Sequence, residues 1–282
     1  MAAVRIVTDS SCDLNADEAD ELGIDIVPLS IRFGDKEFTD RVDLSVDEFY
    51  RHLAESAELP ETAAPAPGAF EQVFRRAATD GADAVVCINL SSELSATIQS
   101  AQNAARAVED TIPVHVVDSR SITLGLGSQA IAAAESAREG VSADDIVAMV
   151  QDMARRTKVL GALDTLENLK KGGRVGGAQA LLGNLLSIKP LIDVSTGRVE
   201  EAGKARTRKK ALQWLADRLL EQPAVERLCV CHGEAPDLDE FLALLAPRFP
   251  RDGIRVGVIG AVIGTHAGPR VMGLAWQTPS GA

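Results

Sequence analysis

The amino-acid sequence predicts an α/β protein of two domains. The N-terminal domain is expected to hold a mainly parallel sheet flanked by helices, because apolar strands and amphipathic helices alternate along the first half. The C-terminal domain is expected to be α+β with a mixed or antiparallel sheet, because strand signals after about residue 158 come with hairpin turns. We therefore predict domains over residues 1–158 and 159–282.

Capping patterns mark the helix starts in the first half. In both Asn15–Glu18 and Ser45–Glu48 a capping side chain precedes an acid by three positions. Such a pair satisfies backbone N–H groups that the first helical turn leaves free, so a helix is predicted after each. Residues 24–33 predict one strand, Gly34-Asp35 a turn, and residues 59–67 a Pro/Ala-rich loop.

Hairpin chemistry distinguishes the second half. Ser195-Thr196-Gly197 separates two apolar runs with the short, Gly-containing turn that joins antiparallel strands. The other predicted elements are a helix from Ser142 to about Thr157, a strand over Val159–Leu163, helices near residues 177–186, 207–221 and 237–247, and a strand over Val256–Ile263.

Three strands of the first half run directly into clusters of hydroxyl and carboxyl side chains. These clusters are Thr8–Ser11, Asn89–Ser92 and Asp118–Ser121. The carboxyl ends of parallel strands meet at one edge of a sheet, where ligands bind, and hydroxyls beside helix N-termini suit an anion. Helix capping alone explains one hydroxyl in each cluster but not two or three. The sequence therefore predicts a site for a small anion at this edge.

Composition narrows the function classes. The 282-residue chain has a formal net charge of −12, which argues against a general surface for nucleic acid or acidic membranes. No apolar run approaches a membrane span, and no signal-peptide pattern precedes the first strand. The four cysteines fit free thiols in a reducing compartment. We expect a cytoplasmic protein with no nucleic-acid partner and no integral membrane association.

Two glycine-containing segments hold candidate binding residues, and a cysteine pair raises the question of a metal site. Four glycines within residues 172–177 frame Arg174; alone they indicate a helix end, but an arginine so placed suits bidentate binding of a carboxylate. His266 falls in a Gly/Pro-rich segment after an apolar strand, and such loops often carry function. Cys229 and Cys231 lack zinc-site spacing and alternate along a strand, so no metal is expected.

Signatures of catalysis are scarce. The sequence has no G-x-S-x-G, H-E-x-x-H or Walker A motif. A nucleophile–base pair formed by Ser91 or Ser92 with His266 stays open, because nucleophile and base need only meet in space.

A basic segment, residues 204–210, stands out in this acidic chain. It holds five positive charges in seven residues and is predicted to open the helix near 207–221, where cations oppose the helix dipole. Either these charges form a solvated face, or they dock an acidic or phosphate-bearing partner. In the docking interpretation the contacts are Arg206, Arg208 and Lys209.

The motifs together resemble the DegV family of bacterial fatty-acid-binding proteins, along essentially the whole chain. The matching segments are Thr8–Leu14, Leu90–Ser95, Val117–Ser121, Leu163–Val175, Lys204–Thr207 and Thr265–Pro269. The segments that depart from the family's usual residues are Ala63-Ala64 after Thr62, Ala96 and Ile98 after Ser95, and Arg270 after Pro269.

The resemblance implies a DegV-like fold of two domains with a long-chain fatty acid buried between them. It implies that the carboxylate meets Thr62 and either Ser91 or Ser92, with Arg174 and His266 supporting the head group. Ser10, Ser95 and Ser119 are further pocket candidates. It also implies a carrier without cofactor or catalysis that presents the fatty acid to a separate fatty-acid kinase, which makes acyl phosphate. The alternative is a Ser/His-dependent hydrolase or transferase acting on an acyl or phosphoryl ester.

Overall fold

The computed structural model describes residues 3–56, 58–179 and 188–280. Its strands are β1 (Val4–Asp9), β2 (Ile24–Val27), β3 (Ser30–Phe33), β4 (Lys36–Thr39), β5 (Glu61–Ala63), β6 (Ala84–Asn89), β7 (Val114–Asp118), β8 (Thr157–Ala162), β9 (Lys189–Asp193), β10 (Glu200–Ala205), β11 (Glu226–His232), β12 (Arg255–Val258) and β13 (Met272–Gln277). Its helices are α1 (Ala16–Leu22), α2 (Val46–Glu55), α3 (Pro67–Thr79), α4 (Thr97–Ala107), α5 (Thr123–Arg138), α6 (Ala143–Arg156), α7 (Glu167–Lys171), α8 (Arg208–Leu220), α9 (Leu238–Leu245) and α10 (Ala261–Ala267).

A parallel four-stranded sheet organises the N-terminal half, in the order β2-β1-β6-β7. Strand β6 is buried along its whole length, as expected for a parallel strand covered on both faces. Helices α3 and α4 cover one face through Phe70, Phe74 and Ala101. Helix α5 packs on the other face. The predicted parallel α/β arrangement is confirmed.

A six-stranded mixed sheet organises the C-terminal half, in the order β10-β9-β8-β13-β11-β12. Only the β11–β12 pair is parallel among its described pairings. The predicted hairpin at residues 195–197 joins β9 to β10. Leu212, Leu215 and Phe241 of α8 and α9 pack on one face. The mixed sheet of the second half is therefore also confirmed.

Helix α5 lies between the two sheets and is buried from Thr123 to Ala134. Its glycines permit close packing, since a β-carbon on Gly127 would come within 2.6 Å of the Cys12 carbonyl oxygen. On the side of the mixed sheet, the sulfurs of Cys229 and Cys231 lie 3.3 and 3.4 Å from hydroxyls of this helix. Both sulfurs therefore face the same side of β11, as their alternation predicted.

The predicted domain boundary falls at the start of β8, the first strand of the mixed sheet in chain order. One hydrophobic core nevertheless runs through both halves, from Ile6 to Ala275. The division at residue 158 therefore stays a prediction.

The single strand predicted over residues 24–33 is wrong, because the chain breaks at Pro28 into β2 and β3. Proline cannot donate a ladder hydrogen bond, and the next N–H, of Leu29, donates to the Ser10 hydroxyl at 3.1 Å. Strand β3 then enters a separate three-stranded antiparallel sheet, β4-β3-β5. Strand β5 of this sheet lies where a loop was predicted, and it pairs Thr62 with Ile31 of β3.

The strand predicted over Val256–Ile263 is also wrong beyond residue 258. Strand β12 ends there, and helix α10 begins at Ala261. His266 therefore lies in the last turn of a helix and not in a loop. The helix predicted near 177–186 falls largely outside the described residues, which omit 180–187.

Candidate functional site

An apolar cavity of about 60 Å³ lies between the two halves of the chain. Its walls are mostly aliphatic, and its polar lining groups are Thr62, Ser95, Arg174 and His266. The aliphatic lining residues are Leu29, Leu90, Leu94, Ile122, Leu169, Ile192, Val194, Val199, Val262, Ile263 and Ala267. Such a site has one chemically distinct polar cluster and an otherwise apolar interior.

Thr62 and His266 form the centre of the polar cluster. The Thr62 Oγ1 and His266 Nε2 atoms lie 2.9 Å apart, at hydrogen-bond distance. Burial lowers the pKa of the His266 imidazole to about 4, helped by the positive charge of Arg174. The ring is therefore neutral at pH 7. Its Nδ1 is buried and has no hydrogen-bond partner among the described residues.

The packing around Nδ1 depends on Gly172. A β-carbon at this position would overlap Nδ1 and approach Cε1 of the ring to 2.8 Å. The Asn168 side chain donates to the Thr265 carbonyl at 3.0 Å, which ties α7 to α10. The glycine after α7 therefore makes room for the histidine at the end of α10.

Arg174 is held by backbone carbonyls and not by an acid. Its Nη1 donates to the Gly172 carbonyl at 2.6 Å, and its Nε donates to the Leu94 carbonyl at 3.2 Å. No carboxylate among the described residues lies within ion-pair distance. The site therefore presents a fixed positive charge to whatever enters the cavity.

Ser95 supplies the second hydroxyl of the cavity wall. Its Oγ lies 2.9 Å from the Thr97 hydroxyl and accepts from the Thr97 N–H at 3.3 Å. Because either hydroxyl can be the donor of that pair, Ser95 keeps the capacity to donate into the cavity.

The structure does not bring Ser91 and Ser92 to the cavity, in contrast to the expectation from the resemblance. The Ser91 hydroxyl donates to the Gly197 carbonyl at 2.7 Å, across the two halves. The Ser92 hydroxyl is exposed and donates to Asp118 at 2.5 Å. Neither hydroxyl hydrogen-bonds to His266 in the described part of the chain, so the serine–histidine pair required by the hydrolase alternative is not assembled.

Several side chains of the three hydroxyl clusters hydrogen-bond to the protein's own polar groups, whereas the buried Thr8 and Ser121 hydroxyls have no partner among the described residues. Buried Asp9 accepts from the Ser11 N–H at 3.1 Å and from the Leu90 N–H at 2.8 Å, which joins the first two clusters. Burial raises the pKa of this carboxyl. Ser10 accepts from the Leu29 N–H, and Ser119 accepts from the backbone of Ser121 at 3.1 Å. Ser10 and Ser119 do not line the apolar cavity.

The basic segment divides into a buried arginine and exposed cations. Arg208 binds Asp237 in a bidentate pair, with N–O distances of 2.8 and 2.9 Å, and only 13% of its side chain is exposed. This pairing lowers the pKa of Asp237. Arg208 is thus unsuited to docking, while Arg206 and Lys209 are exposed. Lys204 was predicted to help open this helix, but it lies on β10, and α8 begins at Arg208.

No group of three or more His, Cys, Asp or Glu side chains in the described part of the chain is arranged to hold a metal ion. No helix within the described ranges is both long and apolar enough to cross a bilayer.

Comparison with known proteins decides the family. The family model described as an uncharacterised protein of the DegV family matches residues 3–278. A DegV domain-containing protein of Streptomyces coelicolor is 39% identical over 277 residues, covering 96% of this chain and 97% of its own. The chain belongs to the DegV family.

Solved DegV structures have the same fold. One from Thermus thermophilus, described as a fatty-acid-binding DegV family protein, is 34% identical with a TM-score of 0.89 and covers 98% of this chain and 100% of its own. DegV of Bacillus subtilis, described as a fatty acid binding protein, is 29% identical with a TM-score of 0.89 and covers 99% of this chain and 100% of its own.

Proposed function

We propose that this DegV protein binds a long-chain fatty acid, with the carboxylate at the polar cluster and the tail among the aliphatic side chains. The observation that carries this proposal is Arg174, a fixed charge without an acidic partner among the described residues, at an otherwise apolar cavity. Thr62, Ser95 and His266 supply neutral hydrogen-bonding groups beside it. An anionic head with a long apolar tail is the ligand class that satisfies both parts.

The energetics favour the tail as the main source of affinity. Burying a 16-carbon chain at about 0.8 kcal/mol per CH₂ gives on the order of 10 kcal/mol before ordering costs. Charge-assisted hydrogen bonds to the carboxylate contribute about 1.5–3 kcal/mol each and mostly offset its desolvation. The polar cluster therefore sets the orientation of the ligand more than its affinity.

The cavity must widen to hold such a tail. Its volume of about 60 Å³ is well below the roughly 300–1,000 Å³ of ligand pockets. Aliphatic side chains lining the cavity have to move apart as the tail enters, and part of the burial energy offsets that rearrangement. We therefore expect slow association and a lower affinity than the buried area of the tail alone predicts.

We further propose that the bound fatty acid is presented to a separate kinase, which converts its carboxylate to an acyl phosphate. The DegV protein then acts as a carrier without cofactor and without catalysis of its own. A carboxylate held at one oxygen by Arg174 and the neighbouring hydroxyls keeps its other oxygen free for phosphoryl transfer. The exposed cations Arg206 and Lys209 are the proposed docking contacts. Arg208 is not included, because it is paired with Asp237.

The ligand is tested by mass spectrometry of an organic extract of the purified protein, where a stoichiometric fatty acid is expected. Calorimetry on delipidated variants then tests the site. Ser95→Ala and Thr62→Ala should each weaken binding by about 1–3 kcal/mol, because a buried charged acceptor loses one hydrogen bond. Ser92→Ala is the matched control and should bind as the parent does. Weakening by Ser92→Ala alone, or esterase turnover by an empty parent protein, would contradict the proposal.

Docking is tested separately in a coupled acyl-phosphate assay. The double variant Arg206→Glu, Lys209→Glu should raise the KM for the carrier and leave fatty-acid affinity unchanged. The increase in KM should shrink as the salt concentration rises, because screening limits the range of interactions between exposed charges to about 8 Å near physiological ionic strength. A solvated face without a docking role predicts an unchanged KM.

A further inference from the structure

The polar cluster opens on two sides. Thr62, Arg174 and His266 line the apolar cavity, and the same three residues line a second, polar groove of about 410 Å³. The groove also contains Lys171 from the end of α7 and Glu58 and Glu61 from the segment entering β5. A carboxylate placed at the cluster therefore faces this polar groove on the side away from its tail.

The charges of the groove favour an added anion. Arg174 has no acidic partner among the described residues, and neither does Lys171. Glu61 forms an exposed ion pair with Arg32, which partly offsets its charge. Glu58 is the one lining acid without an ion pair in the described ranges.

We propose that this groove is the binding site for the phosphoryl group of an acyl phosphate, with Lys171 and Arg174 as its cationic contacts. The inference rests on the proposed function, because it concerns the product of that carboxylate. In the transfer, a carboxylate oxygen bonds to the terminal phosphorus of a nucleoside triphosphate supplied by the kinase, and the bond from that phosphorus to the diphosphate leaving group breaks. The new head group carries up to two negative charges and three more oxygens.

The apolar cavity accommodates neither the added negative charge nor the three added oxygens, so the phosphoryl group must lie on the groove side. There Arg174 bridges both groups, and Lys171 contacts only the phosphoryl group. Lys171 is thus predicted to distinguish a phosphorylated head from a plain carboxylate. Glu58 is predicted to oppose the phosphorylated head by like-charge repulsion.

The test compares hexadecylphosphonic acid, a stable probe that becomes dianionic at mildly alkaline pH, with palmitate on the delipidated protein at such a pH. Lys171→Gln should weaken phosphonate binding about threefold to tenfold, a range that allows for solvent screening of an exposed lysine, and should leave palmitate affinity unchanged. Lys170→Gln is the matched control, since Lys170 is exposed on the same helix but does not line the groove. Glu58→Gln should strengthen phosphonate binding.

The outcomes separate the two proposals. If the parent and all variants bind palmitate, and Lys171→Gln and Lys170→Gln have the same phosphonate affinity as the parent, the groove assignment is overturned and fatty-acid binding stands. Equal losses for palmitate and phosphonate in Lys171→Gln also overturn it, because the lysine would then act on the carboxylate. A parent that binds neither probe refutes the proposed function itself.

Discussion

Replacing Gly172 by alanine is the sharpest probe of the polar cluster. The backbone at Gly172 has φ −73°, a conformation that alanine adopts without strain. The added methyl therefore acts only through its neighbours, and the nearest of these is the His266 ring. For Cε1 to reach an ordinary contact of 3.4 Å from 2.8 Å, the ring has to move by about 0.6 Å, and Nδ1 has to move further.

That displacement acts on both stability and binding. A ring shift of that size distorts the Thr62–His266 hydrogen bond of 2.9 Å, and loss of this bond would cost about 0.5–1.5 kcal/mol. Overpacking against a buried ring adds a cost of about 1–3 kcal/mol. A carboxylate that loses one or two charge-assisted contacts binds roughly tenfold to a hundredfold more weakly.

Isothermal titration of delipidated protein with palmitate, together with urea unfolding, measures both effects. Gly173→Ala is the matched control, because Gly173 has φ +70° and a β-carbon there meets nothing within 4 Å. It should cost about 1–2 kcal/mol of stability through backbone strain and leave palmitate affinity unchanged. If Gly172→Ala bound palmitate as tightly as the parent, His266 would have no part in holding the head group.

Three further predictions concern stability. The pKa of His266 in the folded protein is about 4, below its unfolded value. Its contribution to the free energy of unfolding should therefore be full above pH 6.5 and fall as the pH drops towards 4. Urea titrations of the parent and of His266→Gln at several pH values measure this contribution. Burial raises the pKa of Asp13 to about 7, so its contribution should fall as pH rises from about 4 to 7, and Asp13→Asn should remove that slope in the same titrations. Arg208→Ala should lower the free energy of unfolding by about 3 kcal/mol, because it leaves the half-buried carboxylate of Asp237 unpaired. Lys209→Ala, at an exposed position, should change the free energy of unfolding by less than about 0.5 kcal/mol. Equal effects of the two substitutions would contradict the assignment of Arg208 as structural.

The sequence was most informative where local chemistry decides the structure. The capping box at Ser45 forms as expected, with the Ser45 N–H donating to Glu48 at 2.9 Å. The alternation of strands and helices predicted the parallel sheet, and the short turn at 195–197 predicted the hairpin. These signals are contained within a few residues each, so they can be interpreted without knowing the neighbours in space.

The site was harder to predict because it depends on contacts between distant segments. The hydroxyl clusters look like a ligand site in the sequence, yet Ser91 and Ser92 bind partners 106 and 26 residues away. Thr62 and His266 meet across 204 residues, and nothing in their spacing indicates that contact. The preference for Ser95 over its neighbours also depends on which hydroxyl faces the cavity, a property of the tertiary structure.

The place of β13 in the mixed sheet has a consequence for synthesis on the ribosome. This strand, formed by residues 272–277, lies between β8 and β11, so the sheet lacks a central strand until almost the whole chain has emerged. The parallel sheet and helix α5 are complete by residue 138. At about 5–20 residues per second, roughly 7 to 28 seconds then pass during which the apolar face of α5 has no complete sheet to cover it. The nascent chain is therefore most exposed to aggregation and to chaperone binding in that interval, and a stop or frameshift shortly before β13 would leave that face uncovered.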